Sequence, residues 1–341
     1  MIMTRYRYIF RIAASAVLLA LTASLWQSCK SDQSSPLPEA KGLPYELVLV
    51  CPKQMYQGAL HDTLEAVLQA STPVLNQHEP LFRLSTVYDE SKITAFREFR
   101  SRLVLGVDAS IKEPVVRMAN DVRATPQIEV KITAHDVRQL TEFISDNRER
   151  ITDLFVEHEL QHAAALLRQQ YSASTASALR DVCGYTVCVP QSLRASKRGT
   201  DFLWTGTNLP DRDMNFVYFS YPWDGGALTD SAFVCAHDSA LQANIPGSRA
   251  GQYMQTARVD GKPLAIARMR MINNRCVLEV RGLWDVRGAA LGGPFVAQAH
   301  VDTLAGRVRV AEGFIYSPHS SKRPLLRQME AALRTFEPEK H

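Results

Sequence analysis

This sequence has no glycine-rich phosphate loop, no serine set in a nucleophile elbow, no cysteine pair at CxxC spacing and no internal repeat. These absences exclude P-loop nucleotide chemistry, α/β-hydrolase chemistry, thioredoxin-type redox chemistry and solenoid folds. Charge bias is missing too. Of 39 Lys and Arg, only Arg5, Arg7 and Arg11 precede Cys29, so 36 basic residues face all 35 acidic ones in the remainder. A nearly neutral chain has no global attraction for nucleic acid, which is excluded as a partner. Cys51, Cys183, Cys188, Cys235 and Cys276 follow Cys29, and an odd number cannot pair completely. Cys183 and Cys188 are close enough to bridge in an exported protein. The favoured reading is small buried apolar residues.

An apolar run long enough to cross a bilayer is also missing at the N-terminus. Ile12–Leu25 is 14 residues, where a spanning helix needs about 20. Three arginines precede it and no acidic residue lies in residues 1–28. A positive n-region before a short apolar region is a cleaved export signal. The run closes on Leu25-Trp26-Gln27-Ser28-Cys29, with a small residue directly before a cysteine. That is a lipoprotein processing box, with Cys29 as the lipidated residue and Trp26 bulkier than usual at its position. Residues 29–42 contain Lys30 to Pro38, which is polar and Pro-rich and reads as a flexible tether. Acyl chains on Cys29 make the membrane the first expected partner. The expected location is the cell envelope, at the outer membrane.

About 300 further residues suggest two domains. Residues 43–175 read as an N-terminal α/β layer. Its strands are Tyr45–Val50, Leu81–Val87, Arg102–Val107 and Gln127–Ile132. Its helices are Met55–Leu68 and one long helix, Ala134–Tyr171, which has no Gly or Pro. Residues 176–338 read as a mostly antiparallel sheet flanked by helices. The expected strands are Tyr185–Val189, Phe202–Thr205, Asn215–Ser220, Tyr253–Val259, Cys276–Leu283, Phe295–Val301 and Val308–Tyr316. Turn signals such as Gly225-Gly226 and Asn273-Asn274 separate them. Helices are expected at Ser231–Gln242 and Ser321–Thr335. The small, polar Ser172–Ser177 marks the boundary. The fold class is α/β (α+β), and the order of elements in the second half resembles the Mog1/PsbP-like sandwich.

Several strings add a family resemblance. They are Asn244-Ile-Pro-Gly247, Arg281-Gly-Leu-Trp284, Gly292-Gly-Pro-Phe-Val296, Glu312-Gly-Phe-Ile-Tyr-Ser-Pro318, Lys322-Arg323 and Leu326-Arg-Gln-Met-Glu330. With Leu43–Val50 and Gly58–Leu64, they resemble an uncharacterised domain-of-unknown-function family of lipoproteins from Bacteroides-type bacteria. The resemblance spans residues 42–336. It implies an envelope lipoprotein and carries no reaction and no catalytic residue.

One motif has the form of catalytic chemistry. His158-Glu-Leu-Gln-His162 is H-E-x-x-H in a helix, so both imidazoles lie on one face where they can grip zinc while Glu159 acts as base. A catalytic zinc wants a third ligand. Ala165 and Arg168 occupy the positions of the extended motif, and no Glu occurs between Glu159 and Glu279. Asp181, His135 and His237 are remote candidates. The favoured reading is a charged helix whose histidines make polar contacts at a domain seam. Tyr218, Trp223 and Trp284 with Asp224 and Asp285 read as core and turns rather than a sugar or peptide groove. A buried Arg281 needs a carboxylate, Glu279 or Glu312. The functional expectation is a non-enzymatic, lipid-anchored envelope module that binds a ligand or envelope protein in the groove between two α/β domains, with no cofactor. The alternative is a zinc metallopeptidase.

Overall fold

The computed structural model describes residues 36–91 and 94–339. The expected export signal, Cys29 and the start of the expected tether lie outside them. Glu39–His341 forms one compact unit containing two main sheets.

The first sheet holds β1 (Glu46–Val50), β2 (Arg83–Val87), β3 (Ser101–Val107), β4 (Val115–Asn120) and β5 (Ile128–Ala134) in the order β2-β1-β3-β5-β4. Only β4, at the edge, runs antiparallel. β1 is an interior strand buried on both faces, which is why its sequence is apolar without alternation. Helices α1 (Gly58–Leu68), α2 (Val137–Asp146) and α3 (Arg148–Gln169) cover one face. There Leu60, Leu64, Leu140, Ile144, Ile151 and Phe155 pack on Leu47, Leu49, Leu103, Val130 and Ile132. On the other face, Val48, Val50 and Val87 pack against Phe96 and Phe99.

The expected helix Ala134–Tyr171 is two helices preceded by the end of β5. Asp136 caps α2 by accepting from Gln139 N at 2.8 Å, and the Gln139 side chain accepts from His135 N at 2.9 Å. That is a variant of the capping box. Asn147 then closes α2, its backbone N–H and its side-chain amide both donating to Phe143 O. Its own carbonyl starts α3 by accepting from Ile151 N. The residues Ser172–Ser177, expected at the domain boundary, are the cap and first residues of α4 (Ala173–Cys183). Ser172 caps that helix by accepting from Thr175 N, and Gly184, at φ +71°, ends it in the left-handed conformation.

The second sheet contains β7 (Ala195–Gly199), β8 (Phe202–Gly206), β9 (Asp213–Pro222), β10 (Met254–Thr256), β13 (Ala265–Ile272), β14 (Arg275–Val286), β15 (Gly292–Asp302) and β16 (Arg307–Tyr316). Its order is β10-β14-β15-β16-β9-β8-β7, with β13 beside β14, and every pair is antiparallel. Two short pairings complete the chain: β6 (Tyr185–Thr186) with β17 (Glu337–Pro338), and β11 (Arg258–Val259) with β12 (Lys262–Pro263). Thus Tyr185–Val189 and Tyr253–Val259 are strand for only part of their expected lengths. β4, β7 and β13 are strands that sequence patterning missed; β4 and β7 are exposed along almost their whole length and β13 along much of it, so no buried apolar face marks them. Asn273 and Asn274, at φ +50° and +60°, make the tight turn between β13 and β14.

Helices sandwich this sheet. α4 and α6 (Arg323–Leu333) bury Leu179, Leu326, Met329 and Leu333 against Phe216, Tyr218, Val296 and Ile315. α5 (Asp230–Asn244) buries Phe233, Val234 and Leu241 against Phe202, Val217, Phe219 and Phe295. α6 lies so close to β16 that a side chain at Gly313 would collide with Met329.

The two layers meet through α3 packing on α6. No side chain within α6 caps its N-terminus. Glu79, from the loop before β2, does so across the seam. It accepts Lys322 N at 2.8 Å and Arg323 N at 3.0 Å, and Ser321 Oγ also donates to it. Burial alone would raise its pKa, but those hydrogen bonds lower it below the ordinary carboxylate value. Glu79→Ala leaves buried donors unpaired and is expected to cost about 1–3 kcal/mol. Urea unfolding measures this, and an unchanged midpoint would mean that water caps α6 equally well.

Candidate functional site

α3 carries two polar faces. Helical residues advance about 100° each, so Glu149, Asp153 and Glu157 form a ladder on one side while His158 and His162 point roughly the opposite way. The acidic ladder meets the second sheet and α6. The histidines sit near Arg100, Asp121 and Glu39, beside the first sheet.

In the H-E-x-x-H segment, Glu159 is buried. It accepts Arg100 Nη1 at 3.0 Å and Ser101 Oγ at 3.3 Å. Burial raises its pKa, and the pull of Arg100 offsets this only in part. His158 and His162 are half-buried. Burial lowers both pKa values, with His162 and Arg100 adding to the effect at His158 and Arg100 at His162. His158 Nδ1 is enclosed without a hydrogen-bond partner.

The remote ligand candidates are occupied elsewhere. Asp181 pairs with Arg198 at 3.1 Å, and His135 Nδ1 lies 3.1 Å from Ile111 O. His237, on the inner face of α5, is fully buried, with Nε2 2.9 Å from Glu312 Oε2 and Nδ1 3.0 Å from Thr256 Oγ1. Burial works against its charge, but Glu312 and Asp238 prevail and raise its pKa to about 9. Among the described residues no three His, Cys, Asp or Glu side chains converge as a metal site. With Glu159 held by Arg100 and no third ligand beside the histidines, these residues do not fit a catalytic zinc. The aromatic candidates are core and turn: Trp284 Nε1 donates to Ile315 O, and Asp224 accepts from Gly226 N. Cys183 and Cys188 are free thiols, the first ending α4 and the second beyond β6.

The acidic face of α3 borders a cleft of about 270 Å³ between the two layers. Ala66 and Val67 of α1, Ala70 just beyond it, and Val156 of α3 form an apolar wall with Ile266 of β13. Arg268 and Arg270 of β13, Arg281 of β14, and Arg327 and Arg334 of α6 and its end form a cationic wall. Arg268 and Arg270 are two apart on a strand and so share its cleft face.

The cations are held in depth. Glu330 is enclosed between Arg281 and Arg327, the latter 2.6 Å away. Arg281 also pairs with Glu279 at 3.1 Å. Of the two carboxylates proposed for Arg281, Glu279 is a partner; Glu312 lies behind the sheet with His237. The deciding partner, Glu330, went unnoticed because it is 49 residues away in sequence. Arg334 reaches Glu157 at 3.0 Å and Glu279 at 3.5 Å, while Arg327 lies over the Tyr45 ring at 4.9 Å. Toward the mouth, Arg270 pairs with Asp153 at 2.6 Å and Arg268 with Glu149 at 3.0 Å.

Residues 172–335 match the family described as domain of unknown function DUF4837, and residues 40–168 match domain of unknown function DUF8532. The chain thus joins two uncharacterised family domains. No curated protein matches it. The two matches meet between α3 and α4, so each covers one sheet with its helices, and the cleft is built from both.

Burial works to raise the pKa of Glu330, but Arg281 and Arg327 bring it down to about 2 from the ordinary 4.5. A depressed pKa contributes stability above about pH 4.5, and that contribution is lost as pH falls toward 2. Glu330→Gln is expected to be less stable at pH 7 by about 3–5 kcal/mol, the cost of breaking a buried ion pair. The gap should narrow between pH 4.5 and 2 in urea unfolding at a series of pH values. A gap independent of pH would show that the Glu330 charge contributes nothing.

Proposed function

We propose that this chain is a lipid-anchored protein of the cell envelope, held at the outer membrane by acyl chains on Cys29, that binds a ligand without transforming it. The observation that carries the binding reading is the cleft between the two layers, with one apolar wall and one arginine wall. Binding sites favour such seams, and their few polar groups fix ligand orientation over an apolar surface. The cleft volume is just under the typical range of about 300–1,000 Å³, which suits a small ligand or one side chain of a partner.

The anchor rests on sequence: the three arginines, the short apolar run and Ser28 before Cys29. Among the described residues no helix is long and apolar enough to cross a membrane. The family resemblance supports a lipoprotein of the Bacteroides type. The Mog1/PsbP-like assignment for residues 176–338 is likewise a proposal, supported by an antiparallel sheet with α5 on one face and α4 and α6 on the other.

Metabolic labelling with a fatty acid is expected to tag the chain and to fail in Cys29→Ser. Label retained in that variant would overturn the anchor. For the cleft, a fragment screen by ligand-observed NMR should return binders that Ala66→Phe displaces, since Ala66 is exposed at the apolar wall. Binders indifferent to that substitution would place binding elsewhere.

A further inference from the structure

The cleft wall grades from locked to exchangeable cations. Deep inside, Arg281, Arg327 and Arg334 have side chains at most 15% exposed and carboxylates fixed around them. At the mouth, Arg268 and Glu149 are 54% and 62% exposed, and Arg270 and Asp153 are 27% and 44% exposed. Exposed pairs are worth about 0–1 kcal/mol, so an incoming anion can take the place of Glu149 at little cost and share Arg270 with Asp153. Six arginines line the cleft against Glu149, Asp153 and Glu279. Glu157 and Glu330, which pair with lining arginines from just outside, still leave one cation in excess. Arg148, exposed at the start of α3, has no ion-pair partner among the described residues.

We infer that the cleft takes a small amphiphilic monoanion, its apolar body on Ala66, Val67, Ala70, Val156 and Ile266 and its carboxylate at Arg268 and Arg270. The inference rests on the reading of this cleft as the binding site. Guanidinium groups present paired donors that match a carboxylate. One negative charge balances the single excess cation, whereas a cationic ligand would meet an already positive mouth. The apolar wall provides the contact area that a bare inorganic anion does not use.

Calorimetric titration of the purified mature protein with hexanoate, hexylammonium and hexanol separates the possibilities. Hexanoate should bind and hexylammonium should not. Arg268→Gln should weaken hexanoate about tenfold, as expected for one charge-assisted hydrogen bond. Glu149→Gln should tighten it by releasing Arg268, a change that a purely structural ion pair would not produce. Ala66→Phe should abolish binding. Hexanol or hexylammonium binding as well as hexanoate, with Ala66→Phe still abolishing it, would overturn the anion inference and leave the cleft reading intact. Probe binding that Ala66→Phe leaves untouched, or no binding by any probe, would overturn both.

Discussion

The buried charge seam, Arg281, Arg327 and Arg334 against Glu330, Glu279 and Glu157 of α3, is the constraint on which the rest depends. Glu149, Asp153 and Glu157 recur at intervals of four, so they line one helix face, while Arg268 and Arg270 recur at intervals of two and line one strand face. Each spacing suits its own element, and Arg334 extends the match into α6. Glu79 fastens the same seam from another side by completing the N-terminus of α6. The apolar cores of the two layers are separate clusters bridged by Leu75 and Leu167, which pack on the second, and the polar contacts add to that join.

Such a join brings costs that explain its form. Buried arginines need fixed carboxylates, and Glu330 supplies one to Arg281 and Arg327 at once. Toward water the desolvation cost falls, and so does the grip of each pair. A seam built this way is rigid inside and adaptable at its mouth. A binding cleft benefits from that gradient, because the deep charges set the field and the outer ones can change partners.

Much of the fold was legible from the residues. The apolar run at Leu47–Val50, the alternation at Ile128–Ile132 and the Asn273-Asn274 turn mark their elements directly. The break at Asn147 was hidden because neither Gly nor Pro marks it; a polar side chain bonded to Phe143 O does the work. The helix α4 that follows the boundary carries its own signals, with Ser172 as N-cap and Gly184 as left-handed C-cap, but its small Ser and Ala residues form no apolar stripe that would mark it. The cleft was foreseen only as a groove between two layers. Its residues could not be, since Ala66, Glu149, Arg268, Arg281 and Arg327 are brought together by tertiary packing. The H-E-x-x-H spacing was a true helical feature, but the partner that claims Glu159 is 59 residues away.

The central claim is that the charged seam makes the two layers a single structural unit. Urea unfolding of the mature protein followed by two probes tests it directly. Tryptophan fluorescence reports only the second layer, through Trp204, Trp223 and Trp284, while far-UV circular dichroism reports both. Coincident transitions are predicted, as one cooperative unit requires. A dichroism transition that precedes or outlasts the fluorescence change would show that the layers unfold independently and would contradict the account.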